Sequence, residues 1–109
     1  MRSATVLYKD QAAGTLTQLD DGSFEFAYLD QWLSDRSKPA ISLTLPKKQE
    51  VYRSAYLFPF FYHLLPEGAN KQAICFQLRI DSSDEFSLLL VCTETDSIGA
   101  VRVLKNEVS

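Results

Sequence analysis

The amino-acid sequence predicts an α+β domain. A small antiparallel β-sheet, formed by an N-terminal meander plus short later strands, packs with a C-terminal cluster of about three helices. Three observations carry this. Apolar residues alternate in period two through the first 28 residues, broken by the turn tripeptide Asp20-Asp21-Gly22. Two prolines, Pro59 and Pro66, bracket a run dense in aromatics. Ser82-Ser83-Asp84-Glu85 then opens a segment with helical spacing, after which Ala100 to Leu104 reads as a closing strand.

In chain order, Thr5 to Tyr8 is β-branched and aromatic, and Lys9-Asp10-Gln11 supplies a polar turn. Gly14 to Leu19 alternates as a half-buried strand does, and Phe24, Phe26 and Tyr28 alternate with Glu25 and Ala27 beyond the second turn. The result is a three-stranded meander with its aromatics on one face. Leu29 to Asp35 holds the chain's one tryptophan, Trp32, in a segment fit for a single helical turn that Pro39 breaks. Ile41-Ser42-Leu43-Thr44-Leu45 alternates and stops at Pro46, which predicts a short strand, and the charged stretch Lys47 to Arg53 predicts a surface loop.

The aromatic run is the densest feature of the chain: Tyr56, Phe58, Phe60, Phe61 and Tyr62 fall within seven positions. Pro59 has its φ preset and no N–H to donate, so it fits the first turn of a helix that starts at Phe58 or Pro59. Phe60, Phe61, Leu64 and Leu65 then share one buried face, with Leu57 able to fold back on Tyr62 as a staple. Pro66 ends the helix, and Gly68 is free to take the left-handed conformation that reverses the chain. Phe58 and Tyr62 lie beside the stripe, so the apolar surface is wider than one core face needs. It is either buried on two sides or turned in part toward another protein.

Beyond Gly68 the residues leave two readings open. Ile74, Phe76, Leu78 and Ile80 alternate as a strand would, yet Ala69 to Ala73 forms helix well, and a 69-to-80 helix would be buried along two faces. Ser82 and Glu85 make a capping box for a further helix to about Thr93, with Phe86, Leu89 and Leu90 on one side. Asp96 to Gly99 then turns the chain.

Composition excludes several function classes. A chain of 109 residues forms one domain, residues 1–109, large enough for a real core. Its formal charge of −3 and the lack of a basic run denser than Lys47-Lys48 argue against direct nucleic-acid binding. The N-terminus lacks the apolar core of a signal peptide and no run reaches membrane-spanning length, so the expected location is cytoplasmic, away from the membrane. Cys75 and Cys92 sit in apolar segments without metal-ligand spacing and are expected to be buried free thiols. His63 has no serine or cysteine evidently paired with it, the acidic pairs Asp20-Asp21 and Asp84-Glu85 are explained by a turn and a helix start, and no glycine-rich phosphate loop exists. No catalytic residue, metal site or cofactor is expected, which favours a binding module over an enzyme.

The ordered set of Gly14-Thr15-Leu16, Phe24-Glu25-Phe26-Ala27-Tyr28 with Trp32-Leu33, Ile41-Ser42-Leu43-Thr44-Leu45-Pro46, Pro59-Phe60-Phe61, Leu64-Leu65-Pro66-Glu67-Gly68, Phe86-Ser87-Leu88-Leu89 and Asp96-Ser97-Ile98-Gly99-Ala100-Val101 resembles the N-terminal subdomain of HipA-type toxin kinases. The resemblance spans about residues 4 to 104. It implies that the segment after Gly68 is a helix and that the domain packs against a kinase core. The start at Met1 and the tail Lys105 to Ser109 lead us to expect a whole protein rather than an excised piece. Such a chain is similar to the HipS family of tripartite HipBST toxin–antitoxin systems. That likeness implies an antitoxin that binds and neutralises a HipT-like serine/threonine kinase, with a HipB-like helix-turn-helix protein handling DNA in the same complex. A non-inhibitory assembly subunit, completing the kinase and bridging it to the HipB-like protein, is the alternative. The expected contact surface comprises Trp32, Tyr62, His63, Leu65 and Glu67, since large aromatics anchor interfaces and the Leu65 to Gly68 turn is a rigid protrusion.

Overall fold

The computed structural model describes residues 1–95 and 101–105. Strands β1 (Arg2–Tyr8), β2 (Gln11–Gln18) and β3 (Phe24–Tyr28) form the expected meander. Helix α1 (Asp30–Ser34), strand β4 (Tyr52–Ser54), helices α2 (Pro59–Tyr62), α3 (Gly68–Leu78) and α4 (Glu85–Thr95), and strand β5 (Val101–Lys105) follow. The five described strands make one sheet in the order β4-β3-β2-β1-β5, antiparallel at every pairing. The last strand therefore lies beside the first, with Val103 opposite Val6.

Local chemistry fixes the meander. Lys9 and Asp10 both take positive φ, 49° and 66°, so the β1–β2 hairpin closes through a two-residue turn whose twist matches the strands. Register shifts between Val6 and Leu7, a bulge that brings Ala13 and Gly14 into the core. Gly14 is there because nothing larger fits: a Cβ would lie 2.6 Å from the Ala27 carbonyl oxygen and 2.8 Å from the Phe26 ring. Ala4 and Val6, Ala13 and Leu16, the three aromatics of β3, and Val101 and Val103 supply the sheet's share of the core, which Leu57, Phe58, Phe61, Phe86, Leu88 and Leu89 extend together with Trp32, Ile41, Leu45 and Leu65. Phe26 sits at its centre, edge-on to Tyr28 at 4.9 Å and tilted against Phe61 at 5.7 Å.

Several expectations are corrected. Ile41 to Leu45 is not a strand but a tight turn held by a single bridge between Ser42 and Leu45. In a strand Ile41, Leu43 and Leu45 would share a face; here Ile41 and Leu45 are buried while Leu43 is 101% exposed. The fourth strand falls instead on Tyr52–Ser54, overlapping the end of the stretch Lys47 to Arg53 expected to be loop. Its charge fits an edge strand, where Arg53 stands opposite Glu25 and pairs with it at 2.8 Å. The capping box also differs: Asp84, not Ser82, accepts from the Ser87 backbone N–H at 3.3 Å and its hydroxyl at 2.7 Å, while Asp81 is engaged by Ser83. The expected turn at Asp96 to Gly99 lies outside the described residues.

The segment after Gly68 is a helix, as the resemblance implies, yet it is not buried along two faces. No residue of α3 is fully buried, and Phe76 is 86% exposed. Cys75 and Cys92 are free but only half-buried, with burial and the neighbouring Cys75 pushing the Cys92 thiol up. No helix among the described residues is long and apolar enough to cross a membrane.

Candidate functional site

The corner between α2 and α3 gathers four of the five expected contact residues, Tyr62, His63, Leu65 and Glu67. Pro59 opens α2 at its first position, and the helix lasts one turn before tightening: Leu64 N–H donates to the Phe61 carbonyl and Leu65 N–H to the Tyr62 carbonyl, at 3.0 and 3.1 Å. That inward twist buries Phe61 and Leu65 beside Leu57 and Phe58, and leaves Phe60 and Leu64 half-buried. Of the five aromatics, Phe58 and Phe61 are therefore core and Phe60 packs against it. What remains outside is Tyr56, 81% exposed, Tyr62, 49% exposed, and His63, whose ring meets the Tyr62 ring edge-on at 6.4 Å.

Pro66 and Glu67 lead into Gly68, which turns the chain with φ of +57° and starts α3. The Glu67 side chain makes no capping hydrogen bond, so its exposed carboxylate stays available, while its carbonyl accepts from the Lys71 N–H at 3.4 Å. Tyr62, Leu65, Pro66, Glu67, Gly68 and Lys71 line a depression of about 200 Å³. Its walls offer one aromatic ring, one carboxylate and one ammonium, a mixture suited to contact with a side chain of another protein. Lys71 was not among the expected residues, although its i, i+4 spacing from Glu67 places the two on one side of the helix start.

Trp32 lies elsewhere. On α1 it is 3% exposed, donates Nε1–H to the Pro39 carbonyl at 2.9 Å and packs edge-on to Tyr8 at 5.8 Å. Its environment is that of a core residue whose polar atom is satisfied. Leu65 is also core, and forms the floor of the depression rather than a protrusion. Among the described residues no cluster of three or more His, Cys, Asp or Glu could hold a metal ion.

With this geometry in hand, comparison with known proteins is direct. The HipA N-terminal domain family matches residues 4–104. The chain belongs to the HipA N-terminal domain family. A solved structure of the N-terminal domain of HipA toxin superposes with a TM-score of 0.72 at 30% identity, covering 100% of this chain and 96% of that one. An uncharacterised protein of Haemophilus influenzae is 35% identical over 103 residues, 94% of this chain and 92% of its own length. The Sinorhizobium fredii protein named "Putative kinase Y4mE" is 32% identical over 89 residues, 82% of this chain and 21% of that protein. The chain thus spans about a fifth of Y4mE.

Proposed function

We propose that this HipA N-terminal domain is a HipS-like antitoxin that acts as one unit over residues 1–109 in the bacterial cytoplasm. It binds a HipA/HipT-type serine/threonine kinase toxin and neutralises it by occupancy, inside a tripartite complex whose HipB-like helix-turn-helix protein contacts DNA. The domain itself takes no part in phosphotransfer. The observation that carries the reading is that the chain, matched over residues 4–104 to the HipA N-terminal domain, spans only about a fifth of a protein named as a kinase, where such a surface has a much longer remainder of chain to lie against. The exposed Tyr62, His63 and Glu67 at the α2–α3 corner supply the outward groups for the contact, with Leu65 beneath them and Trp32 supporting from the core.

Co-expression with the kinase should yield a complex that survives size-exclusion chromatography and should rescue growth. Phosphotransfer by the purified kinase should fall on adding the domain. A complex that forms with undiminished phosphotransfer would replace neutralisation with the assembly role, in which the domain completes the kinase and bridges it to the HipB-like protein. A monomer indifferent to the kinase would remove both readings. Substituting Tyr62 or His63 while Phe60, Phe61 and Leu64 stay intact should weaken the complex in a normally folded protein.

A further inference from the structure

The turn at Ile41 to Leu45 is fastened far more firmly than an ordinary surface loop. A single phenol holds both of its ends: the Tyr28 hydroxyl accepts from the Ile41 N–H at 3.1 Å and donates to the Leu45 carbonyl. Inside the turn, Leu45 N–H donates to the Ser42 carbonyl at 3.1 Å and Thr44 N–H to the Ser42 Oγ at 3.2 Å. Below it the Lys47 ammonium donates to the carbonyls of Asp35 and Lys38, at 2.8 Å each, cinching the base of the loop. Ile41 and Leu45 are buried, so every residue around the apex has a structural role while Leu43 stands clear of the protein. An exposed leucine is unremarkable where a loop is slack. One held at the apex of a pinned turn has already lost the freedom that binding would otherwise remove.

Charge around this apex is also distinctive. Between Arg36 and Lys48 the chain places Arg36, Lys38, Lys47 and Lys48 with no carboxylate, although its formal net charge is −3. Asp35 borders the segment, and its carboxylate is turned to Ser37, accepting from the backbone N–H and the hydroxyl. Lys38 lies over the Trp32 ring at 5.5 Å and bonds to Gln11, whereas Arg36 and Lys48 face solvent. Asp30, Leu33, Lys47 and Lys48 help to line a depression of about 510 Å³ beside the loop. An apolar knob flanked in sequence by the exposed Arg36 and Lys48 is complementary to an apolar socket with an acidic rim. A nucleic acid would use the cations and leave the leucine idle.

We infer that the loop from Arg36 to Lys48 is a second anchor on the kinase partner, with Leu43 entering an apolar socket whose rim places carboxylates opposite Arg36 and Lys48. This rests on the proposed kinase binding and adds a contact remote in sequence from Tyr62, His63 and Glu67.

The test is titration calorimetry of the full chain against the purified HipA-type kinase of the same organism, with Leu43→Ser, Lys48→Glu and Tyr28→Phe. Leu43→Ser should weaken binding about tenfold or more with an unchanged melting temperature, as truncation of a central apolar anchor does. Lys48→Glu should weaken it about fivefold and flatten its dependence on salt, since screened attraction is what that residue supplies. Tyr28→Phe should weaken it with Leu43 still in place, because the turn loses its fastening. Wild-type binding that Leu43→Ser leaves within about twofold overturns the anchor and leaves the kinase reading standing. Failure of the wild-type chain to bind removes the kinase reading and the anchor together. Binding of a DNA duplex abolished by Lys48→Glu, or self-association in sedimentation abolished by Leu43→Ser, with kinase affinity unmoved in either case, reassigns the loop and overturns the inference.

Discussion

Helices α3 and α4 have the same length, 11 residues each, and neither sorts its apolar residues cleanly to one side, yet they have opposite fates. In α4, Phe86, Leu88 and Leu89 are completely buried and the helix packs on β5. Its start is tied to the far end of the chain: the Arg2 guanidinium donates to Asp84 at 2.7 Å and to the Ser87 hydroxyl at 3.0 Å, and lies 4.8 Å over the Phe86 ring. In α3 no residue is fully buried, and Ile74 and Cys75 touch the core only from its edge. An isolated helix of this length is marginal in water. The comparison teaches that apolar content alone does not make a helix part of the core. Position relative to the sheet decides it, and apolar residues such as Phe76 that the sheet does not reach are left exposed.

The largest test of this contrast is Phe86→Ala, which should cost about 3–5 kcal/mol in chemical denaturation, enough to unfold much of the population at ambient temperature. Next comes Asp84→Ala, which removes the helix cap and the partner of Arg2 and should cost about 1–2 kcal/mol. The Arg2 guanidinium, then the Ser87 hydrogen bonds, hold the Asp84 carboxyl below its usual range. Its contribution is therefore present above the unfolded carboxylate pKa and lost as pH falls through the lowered folded value. Denaturation curves of wild type and variant should converge in acid. If the gap is independent of pH, the helix start is held by packing alone.

Effects on α3 should be smaller. Arg79 ends the helix with φ of 55°, its backbone in the left-handed region, as Ile80 N–H closes on the Cys75 carbonyl at 3.0 Å. Arg79→Gly should raise stability by about 0.5–1 kcal/mol, because glycine takes that conformation without strain. Phe76→Ser should change it by less than about 0.5 kcal/mol, as exposed positions do. A large loss on Phe76→Ser would erase the contrast by showing that α3 is packed in solution.

The same contrast explains what was legible in the sequence. The meander and the closing strand follow from period-two alternation, since each buries one regular face, and α4 follows from its acidic start at Asp84-Glu85 and the helical spacing of Phe86 and Leu89. The turn at Ile41 to Leu45 escaped because a strand and a pinned turn can both present apolar, polar, apolar, polar, apolar; only the Tyr28 hydroxyl beneath it distinguishes them. Strand β4 escaped because charge on an edge strand resembles charge on a loop. At the candidate site, Tyr62, Leu65 and Glu67 are close in sequence and lie together, whereas Trp32, expected on the contact surface, lies in the core. Its fate depended on the Pro39 carbonyl that satisfies its indole N–H.

The placement of β5 beside β1 also sets a schedule for the chain as it is made. The strand synthesised first stays an open edge until the strand synthesised last emerges to pair with it, Val103 against Val6. Translation at about 5–20 residues per second leaves that edge unpaired for seconds. During this interval the meander is a template for any passing strand, including the same segment of another nascent chain. Maturation of this domain thus waits for β5, and a chain stalled before Val101 would present an unfinished sheet.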